Sequence, residues 1–504
     1  MICHTSAVNL ATLPVPHPPE RAALVSRGRT VTYGALNDEV DRLRGGLVRL
    51  GLQPGERLAL VAANNDRFVV SYLAALGAGL VVVPLNPLSP GPELTDELAR
   101  VGAAAVIVGP TGRRRFLEAD RAELPQLRHV ISAGEALAEG SHLLAGLCDG
   151  SPEPIVDRNP DDPAVLIFTS GTAGMPQPCI LTQANLEASV RSMLALGPDL
   201  RRSDDVVLGV LPMFHIFGLS IVLNLSLAVG SCAVLVERFD PATAIEKIRD
   251  NRITMLSGPP TLWSALAALP GVGPEHVASV RVAVSGASKL DPEIHAYVRA
   301  RLGLDLREGY GLTETAATVA SALGTVAPPG SVGRPMPGVQ MRLVDAAGDD
   351  VLVGDPGEIW VRGPMVTPGY WDDGPATERV LTADGWLRTG DLAVVDDEGW
   401  LRIVDRAKDL IIVSGFNVFP AEVEGVLHQH PDIAAVAVVG VPHPHSGEAV
   451  RAHVVLRPGA DLDEEDVIAW AGARLAGYKC PSKVVFAREL AQNATGKVLR
   501  RELG

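Results

Sequence analysis

The apolar positions along the chain fall into two textures. In the first, short unbroken apolar runs alternate with stretches of helical period. Arg57 to Ala63, Leu80 to Leu85, Ala103 to Val108, Ser231 to Val236, Ile253 to Leu256 and Val280 to Val284 read as strands. Apolar runs without alternation mark strands covered on both faces. Arg67 to Leu76, Ala242 to Arg249 and Pro292 to Arg301 read as helices between them. This βαβ rhythm predicts an α/β fold of doubly wound sheets. After Gly357 the texture changes. Glu358 to Arg362, Trp386 to Thr389, Leu392 to Val395 and Trp400 to Val404 read as antiparallel strands of a β-rich subdomain, with Asp396 to Gly399 as a turn. A third unit follows. It has a strand from Leu410 to Val413, a helix from Pro420 to Gln429, strands at Ala434 to Val439 and Ala449 to Leu456, a helix from Glu464 to Leu475, and a closing strand from Lys483 to Phe486. The polar join Asp405-Arg406-Ala407-Lys408 separates the textures. It predicts a large N-terminal domain over residues 1–405 and a small α+β C-terminal domain over 406–504.

Composition narrows the function. A chain of 504 residues, 47% apolar and 20% charged, can build more than one core and is not expected to be disordered. Its net charge of −15 argues against nucleic acid as a partner, although a small anionic ligand needs only local positive charge. The five cysteines (Cys3, Cys148, Cys179, Cys232 and Cys480) show no metal-type spacing and suit a reducing compartment. The first residues lack the basic-then-apolar pattern of a signal peptide, and no apolar run approaches the roughly 18 residues of a membrane span. A cytoplasmic protein is expected.

The sharpest chemical signal lies at Pro163 to Pro178. A short apolar strand, Ala164 to Phe168, runs directly into Thr169, Ser170, Gly171, Thr172 and Gly174. Hydroxyls and unobstructed backbone N–H groups are what a polyphosphate needs. Lys and Ser/Thr do not follow the last glycine, so this is not the common P-loop. The bland alternative is an ordinary flexible strand-to-helix loop. A second cluster, Arg307 to Thr315 (REGYGLTET), joins glycines that admit close backbone approach, Tyr310 with a flat ring, and Thr313 beside Glu314. A carboxylate there suits Mg²⁺; taken singly, Glu314 is also an ordinary helix-start residue. In Gly385 to Leu392, Asp391 is suited to accept ribose hydroxyls or to sit in a turn. Lys497 follows Thr495 and Gly496 and, alone, would be an ordinary surface charge.

Together and in this order, FTSGTAGMP, LPMFHIFGL, SGASKL, REGYGLTET, GEIWVRGP with PGYW, GWLRTGDL, DRAKDLIIVSGFNVFPAEVE and NATGKVLRREL resemble the adenylate-forming superfamily of AMP-dependent synthetases and ligases. The texture is most similar to bacterial fatty-acyl-CoA synthetases. The resemblance runs from about Ala22 through the last motif. It implies two half-reactions with ATP, Mg²⁺ and coenzyme A. A carboxylate attacks the α-phosphate to give acyl-AMP and pyrophosphate; a thiol then attacks the acyl carbon and AMP leaves. Between the two, a mobile C-terminal domain would turn about a hinge near Lys408.

Position by position, the resemblance implies the following roles. Thr169, Ser170, Gly171, Thr172 and Gly174 hold phosphates, and Thr313 and Glu314 hold phosphate and Mg²⁺. Ser285, Gly286, Ala287, Glu308, Gly309, Tyr310 and Gly311 form the nucleotide pocket, Asp391 and Arg406 the ribose contacts. Lys497 bridges the carboxylate and α-phosphate, and Gly415 and Phe416 line the thiol channel. His215, beside Phe214, gates the acyl pocket. The residue after Phe214 is not the Asp of amino-acid-activating relatives, which argues against an amino-acid substrate. The apolar neighbours Ile216, Phe217, Leu219, Ile221, Val222 and Leu223 favour a medium- or long-chain fatty acid, with a cinnamate-type acid second. One departure stands out: Gln177 and Pro178 replace the family's Lys-Gly, and Gln183 stands where His is usual. The loss of a cation and an N–H donor predicts weaker ATP binding or pyrophosphate handling, with activity retained because Glu314, Asp391, Arg406 and Lys497 are all present. A ligase that loads an acyl carrier protein, or a non-catalytic nucleotide or acyl binder, are the alternatives.

Overall fold

The structure, a computed structural model, describes residues 9–169, 176–406, 409–413, 416–443, 446–492 and 498–503. A nine-stranded and a seven-stranded sheet form the large part. The nine-stranded sheet has a parallel centre, running through Val282–Ser285, Met255–Gly258, Val206–Gly209 and Cys232–Leu235. In the seven-stranded sheet Ala105–Val108, Arg57–Val61, Val81–Leu85 and Pro163–Thr169 are parallel neighbours. The helix Asp66–Gly77 lies between the two sheets. Its sequence is apolar nearly all round, and almost every residue is buried, as a helix covered on every side requires. Asn65 caps it by accepting the Phe68 N–H at 3.2 Å. One core cluster joins Leu24, Ala233 and Leu235 of the first sheet to Leu58, Val82, Val165 and Ile167 of the second. The two sheets are therefore a single packed body.

A four-stranded antiparallel sheet follows: Gln340–Val344, Gly357–Arg362, Leu387–Val395 and Leu401–Arg406. Gly357–Arg362 alternates buried and half-buried positions, with Ile359 and Val361 facing the core. The C-terminal unit is a five-stranded sheet covered by the helices Pro420–His428 and Glu464–Gly472 around its own core.

Three expectations are corrected. The hydroxyl-rich loop leads not into a helix but into Gln177–Thr182, which pairs antiparallel with Pro163–Thr169. Pro178 and Cys179 sit in that strand, and the helix begins only at Gln183. The run Ile253 to Leu256 marks burial rather than strand bounds: the strand is Met255–Gly258, while the Ile253 N–H closes the preceding helix on Ile248 O. The segments on either side of Gly390 form one strand, Leu387–Val395, bulged at Leu392/Ala393, with Gly390 at φ +68°. The strand Leu401–Arg406 runs one residue past the expected boundary at Asp405, and Ala407 and Lys408 lie outside the described residues.

Candidate active site

The sheets enclose a cleft of about 780 Å³. Three walls contribute to it. The seven-stranded sheet and its helix Gly91–Arg100 supply Thr169, Glu93 and Glu97. The nine-stranded sheet supplies Ser285, Gly286, Ala287, Gly309, Tyr310 and Gly311, followed by Thr313 and Glu314. The four-stranded sheet supplies Glu358, Arg388 and Gly390. Strand ends and the loops after them build it, the usual place for a ligand in open α/β sheets. Leu499, from the C-terminal segment, also lines the cleft.

Two contacts tie distant motifs together. The Tyr310 hydroxyl donates to Asp391 Oδ2 at 2.7 Å. Asp391 is 4% exposed and does not itself line the cleft. Its N–H donates to Thr389 Oγ1 at 3.1 Å, and the Gly390 N–H donates to Glu358 Oε1 at 2.9 Å, which fixes the turn that carries it. The Tyr370 hydroxyl donates to Glu314 Oε1 at 2.7 Å. Burial, and then the Glu314 carboxylate beside it, push the Tyr370 hydroxyl far above the ordinary tyrosine range, so it remains a donor. Glu314 is thus an oriented carboxylate with one oxygen held, next to the Thr313 hydroxyl. This hard-oxygen set fits Mg²⁺.

The backbone here is close-packed and partly strained. A side chain on Gly311 would place its Cβ 1.5 Å from the Ala317 carbonyl oxygen, so only glycine fits. Ala287, Ala316 and Ala317 hold φ at +71°, +50° and +116°. Left-handed backbone at non-glycine residues concentrates at functional sites.

His215 lines the cleft just before a π-helical segment, Phe217–Asn224. The Phe217 N–H donates to His215 Nδ1 at 3.2 Å, leaving the proton of the neutral ring on Nε2. The ring is half-buried by surface area, its opening being the cleft, and its apolar surroundings pull its pKa down to about 4. It is therefore a neutral N–H donor at pH 7. Of the apolar neighbours read as the acyl setting, Ile216, Phe217 and Ile221 line the cleft, whereas Leu219, Val222 and Leu223 point into the core. Glu308 stands behind the lining; burial raises its carboxyl to about 7. Arg406 and Asp391 are paired in the backbone register of neighbouring strands, and Phe416 begins the strand Phe416–Val418. Ser170, Gly171, Thr172, Gly174, Lys408, Gly415 and Lys497 lie outside the described residues.

Sequence reasoning missed Glu97, Arg201, Tyr370 and Arg379, all in the lining. Glu97 carried a usable signal: it falls among the buried Leu94, Thr95 and Leu98 of an amphipathic helix. Its Oε2 is buried with no partner among the described residues. Burial, then Glu93 and Asp96, raise its carboxyl to about 8. A carboxyl with a raised folded pKa binds an extra proton in the native state. The stability it carries is present below its unfolded value of 4.5 and is lost as pH rises through about 8. Glu97→Gln is therefore expected to gain on the wild type between pH 5 and 8, by up to about 1.4 kcal/mol per pH unit, in urea unfolding without nucleotide. Parallel pH profiles for the two proteins would contradict this.

Comparison with known proteins agrees with this geometry. The AMP-binding enzyme family matches residues 14–371, and the AMP-binding enzyme C-terminal domain matches residues 422–497. The chain is 37% identical over 505 residues to a methyl-dioxo-octahydroindenyl-propanoyl:CoA ligase of Mycobacterium tuberculosis, covering 96% of each. It is 35% identical over 487 residues to a feruloyl-CoA synthase of an Amycolatopsis species, again covering 96% of each. ATP-bound MatB from Rhodopseudomonas palustris superimposes with a TM-score of 0.91 at 31% identity, over 99% of this chain and 98% of that one. The chain belongs to the AMP-binding enzymes and is an acid–thiol ligase of the acyl-CoA synthetase kind. No helix among the described residues is long and apolar enough to cross a membrane.

Proposed function

We propose that this chain joins a carboxylic acid with a mainly apolar body to AMP, using ATP, and then passes the acyl group to coenzyme A. The observation that carries the reading is the shared cleft: Thr313, Glu314, His215 and Tyr310, with Asp391 bonded behind it, stand in one cleft whose lining also includes the apolar Met193, Ile221, Val284 and Leu323. The acid is ionised at pH 7, so the first step needs no general base. It needs two anions brought together and their charge offset.

In this reading Thr169 and Thr313 bind phosphate oxygens, and Asp391 accepts the ribose hydroxyls with Arg406 beside it. Lys497 spans the carboxylate and α-phosphate, and His215 donates its Nε2 proton toward the acyl carboxylate. Glu314 would hold Mg²⁺, which when bound offsets polyphosphate charge. Rotation about Lys408 between the domains 1–405 and 406–504 would withdraw Lys497 and bring Gly415 and Phe416 to the thiol path. A cytoplasmic location suits these substrates. The acid ranges in this reading from fatty to cinnamate-type.

AMP release that requires both an acid and coenzyme A is the test. Acyl-AMP that accumulates without coenzyme A turnover would instead favour transfer to a carrier protein.

Gln177 sets a further expectation. It starts the strand opposite Thr169, and its Oε1 is buried with no partner among the described residues. Gln177→Lys is expected to lower the KM for ATP about tenfold by adding a charge-assisted phosphate contact. An unchanged KM would refute the account of this departure.

A further inference from the structure

We propose that Arg379 is the side-chain cation that grips the polyphosphate tail of ATP, the part that leaves as pyrophosphate. This rests on the acid-activating reading above and names a residue of that same site. The tail brings several negative charges into a cleft whose described lining already holds the carboxyl groups of Glu93, Glu97, Glu314 and Glu358. Against them the described lining sets arginines and no lysine. Arg201 has its Nε and Nη2 buried, out of reach of the cleft. Arg388 lies over the Trp360 ring, 5.2 Å from its centroid. Arg379 is exposed, lines the cleft, and makes no hydrogen bond or ion pair with a described residue. Its guanidinium is therefore open to a ligand.

The local fold aims it at the phosphate end. Tyr370 forms an antiparallel bridge with Cys179, and the Trp371 N–H donates to Pro178 O at 2.8 Å. The segment before the helix Gly374–Val380 is thus fastened to the strand that the uncharged Gln177 begins. The Tyr370 N–H donates to Thr377 Oγ1 at 3.0 Å, which folds the helix back on Tyr370. The charge of Arg379 reaches the Tyr370 hydroxyl and pulls its pKa down, against burial and Glu314. That hydroxyl lies 2.7 Å from Glu314, the carboxylate suited to Mg²⁺, so carboxylate and cation share one end of the cleft. A guanidinium presents a planar fork that matches two phosphate oxygens, and beside a neutral Gln177 that task falls to Arg379.

The test is equilibrium binding of ATP, pyrophosphate and AMP, each with Mg²⁺, to the wild type and to Arg379→Gln. AMP lacks the two phosphates in question. The variant is expected to bind ATP and pyrophosphate about tenfold more weakly, while AMP binding moves less than about twofold. In kinetics over a panel of fatty and cinnamate-type acids, KM for ATP should rise while KM for the acid and for coenzyme A hold. Arg379→Lys should keep part of the affinity, and Gln177→Lys added to Arg379→Gln should regain part of it. Arg379→Met stands in if Arg379→Gln does not fold. Equal losses for ATP and AMP would mark a structural arginine, and a raised KM for coenzyme A alone would place it on the thiol path; either overturns the proposal. ATP binding by the wild type that the substitution leaves unmoved overturns the proposal but leaves acid activation standing. A wild type that binds no ATP overturns both.

Discussion

Replacing Glu314 by Gln is expected to slow acyl-AMP formation by about 10²–10³-fold, the usual cost of removing one transition-state charge contact. The substitution keeps the shape and the Tyr370 contact (2.7 Å) but removes the negative charge that would hold a cation on the polyphosphate. ATP–pyrophosphate exchange titrated with Mg²⁺ is the measurement. The variant should need more Mg²⁺ to reach a lower plateau. Tyr370→Phe, which only frees the carboxylate to move, should cost roughly tenfold, in line with the loss of one hydrogen bond to a charged group. An exchange rate and Mg²⁺ dependence equal to the wild type would remove Glu314 from the machinery.

Lys497→Ala is expected to split the two half-reactions. Acyl-AMP formation should fall by about 10³-fold, because a single cation is asked to align and neutralise two anions. Thioester formation from supplied acyl-AMP and coenzyme A should change less than about threefold, since in the proposed rotation Lys497 has left the site by then. Rapid-quench measurement of each half-reaction separates them. Equal losses in both would contradict domain rotation about Lys408 as the link between the steps.

Much of this site was legible because its chemistry is written in short motifs. Tyr310 and Asp391 stand 81 positions apart, yet each lies in a recognisable string, and the structure joins them by one hydrogen bond. The sheets were legible for a related reason: buried parallel strands announce themselves as unbroken apolar runs. What stayed hidden depends on tertiary burial. Arg201 sits in a polar-looking LRRSDD stretch, and nothing local tells that its guanidinium is enclosed while that of the adjacent Arg202 pairs with Asp199 at an exposed position. The hairpin after Thr169 was hidden by Pro178, a residue that usually discourages a strand but is accommodated in this edge strand of its sheet. Gly390 and the nearby bulge at Leu392/Ala393 made one strand look like two, because a left-handed glycine breaks the period without ending the pairing.

The central claim is that one cleft carries an acid through an adenylate to a thioester. It is tested most directly by following AMP and acyl-CoA together, from ATP, Mg²⁺ and the acid panel, with and without coenzyme A. Stoichiometric AMP and acyl-CoA that require the same acid, with acid-dependent pyrophosphate exchange when coenzyme A is withheld, is the predicted result. ADP in place of AMP, or no acid-dependent exchange with any acid, would contradict it.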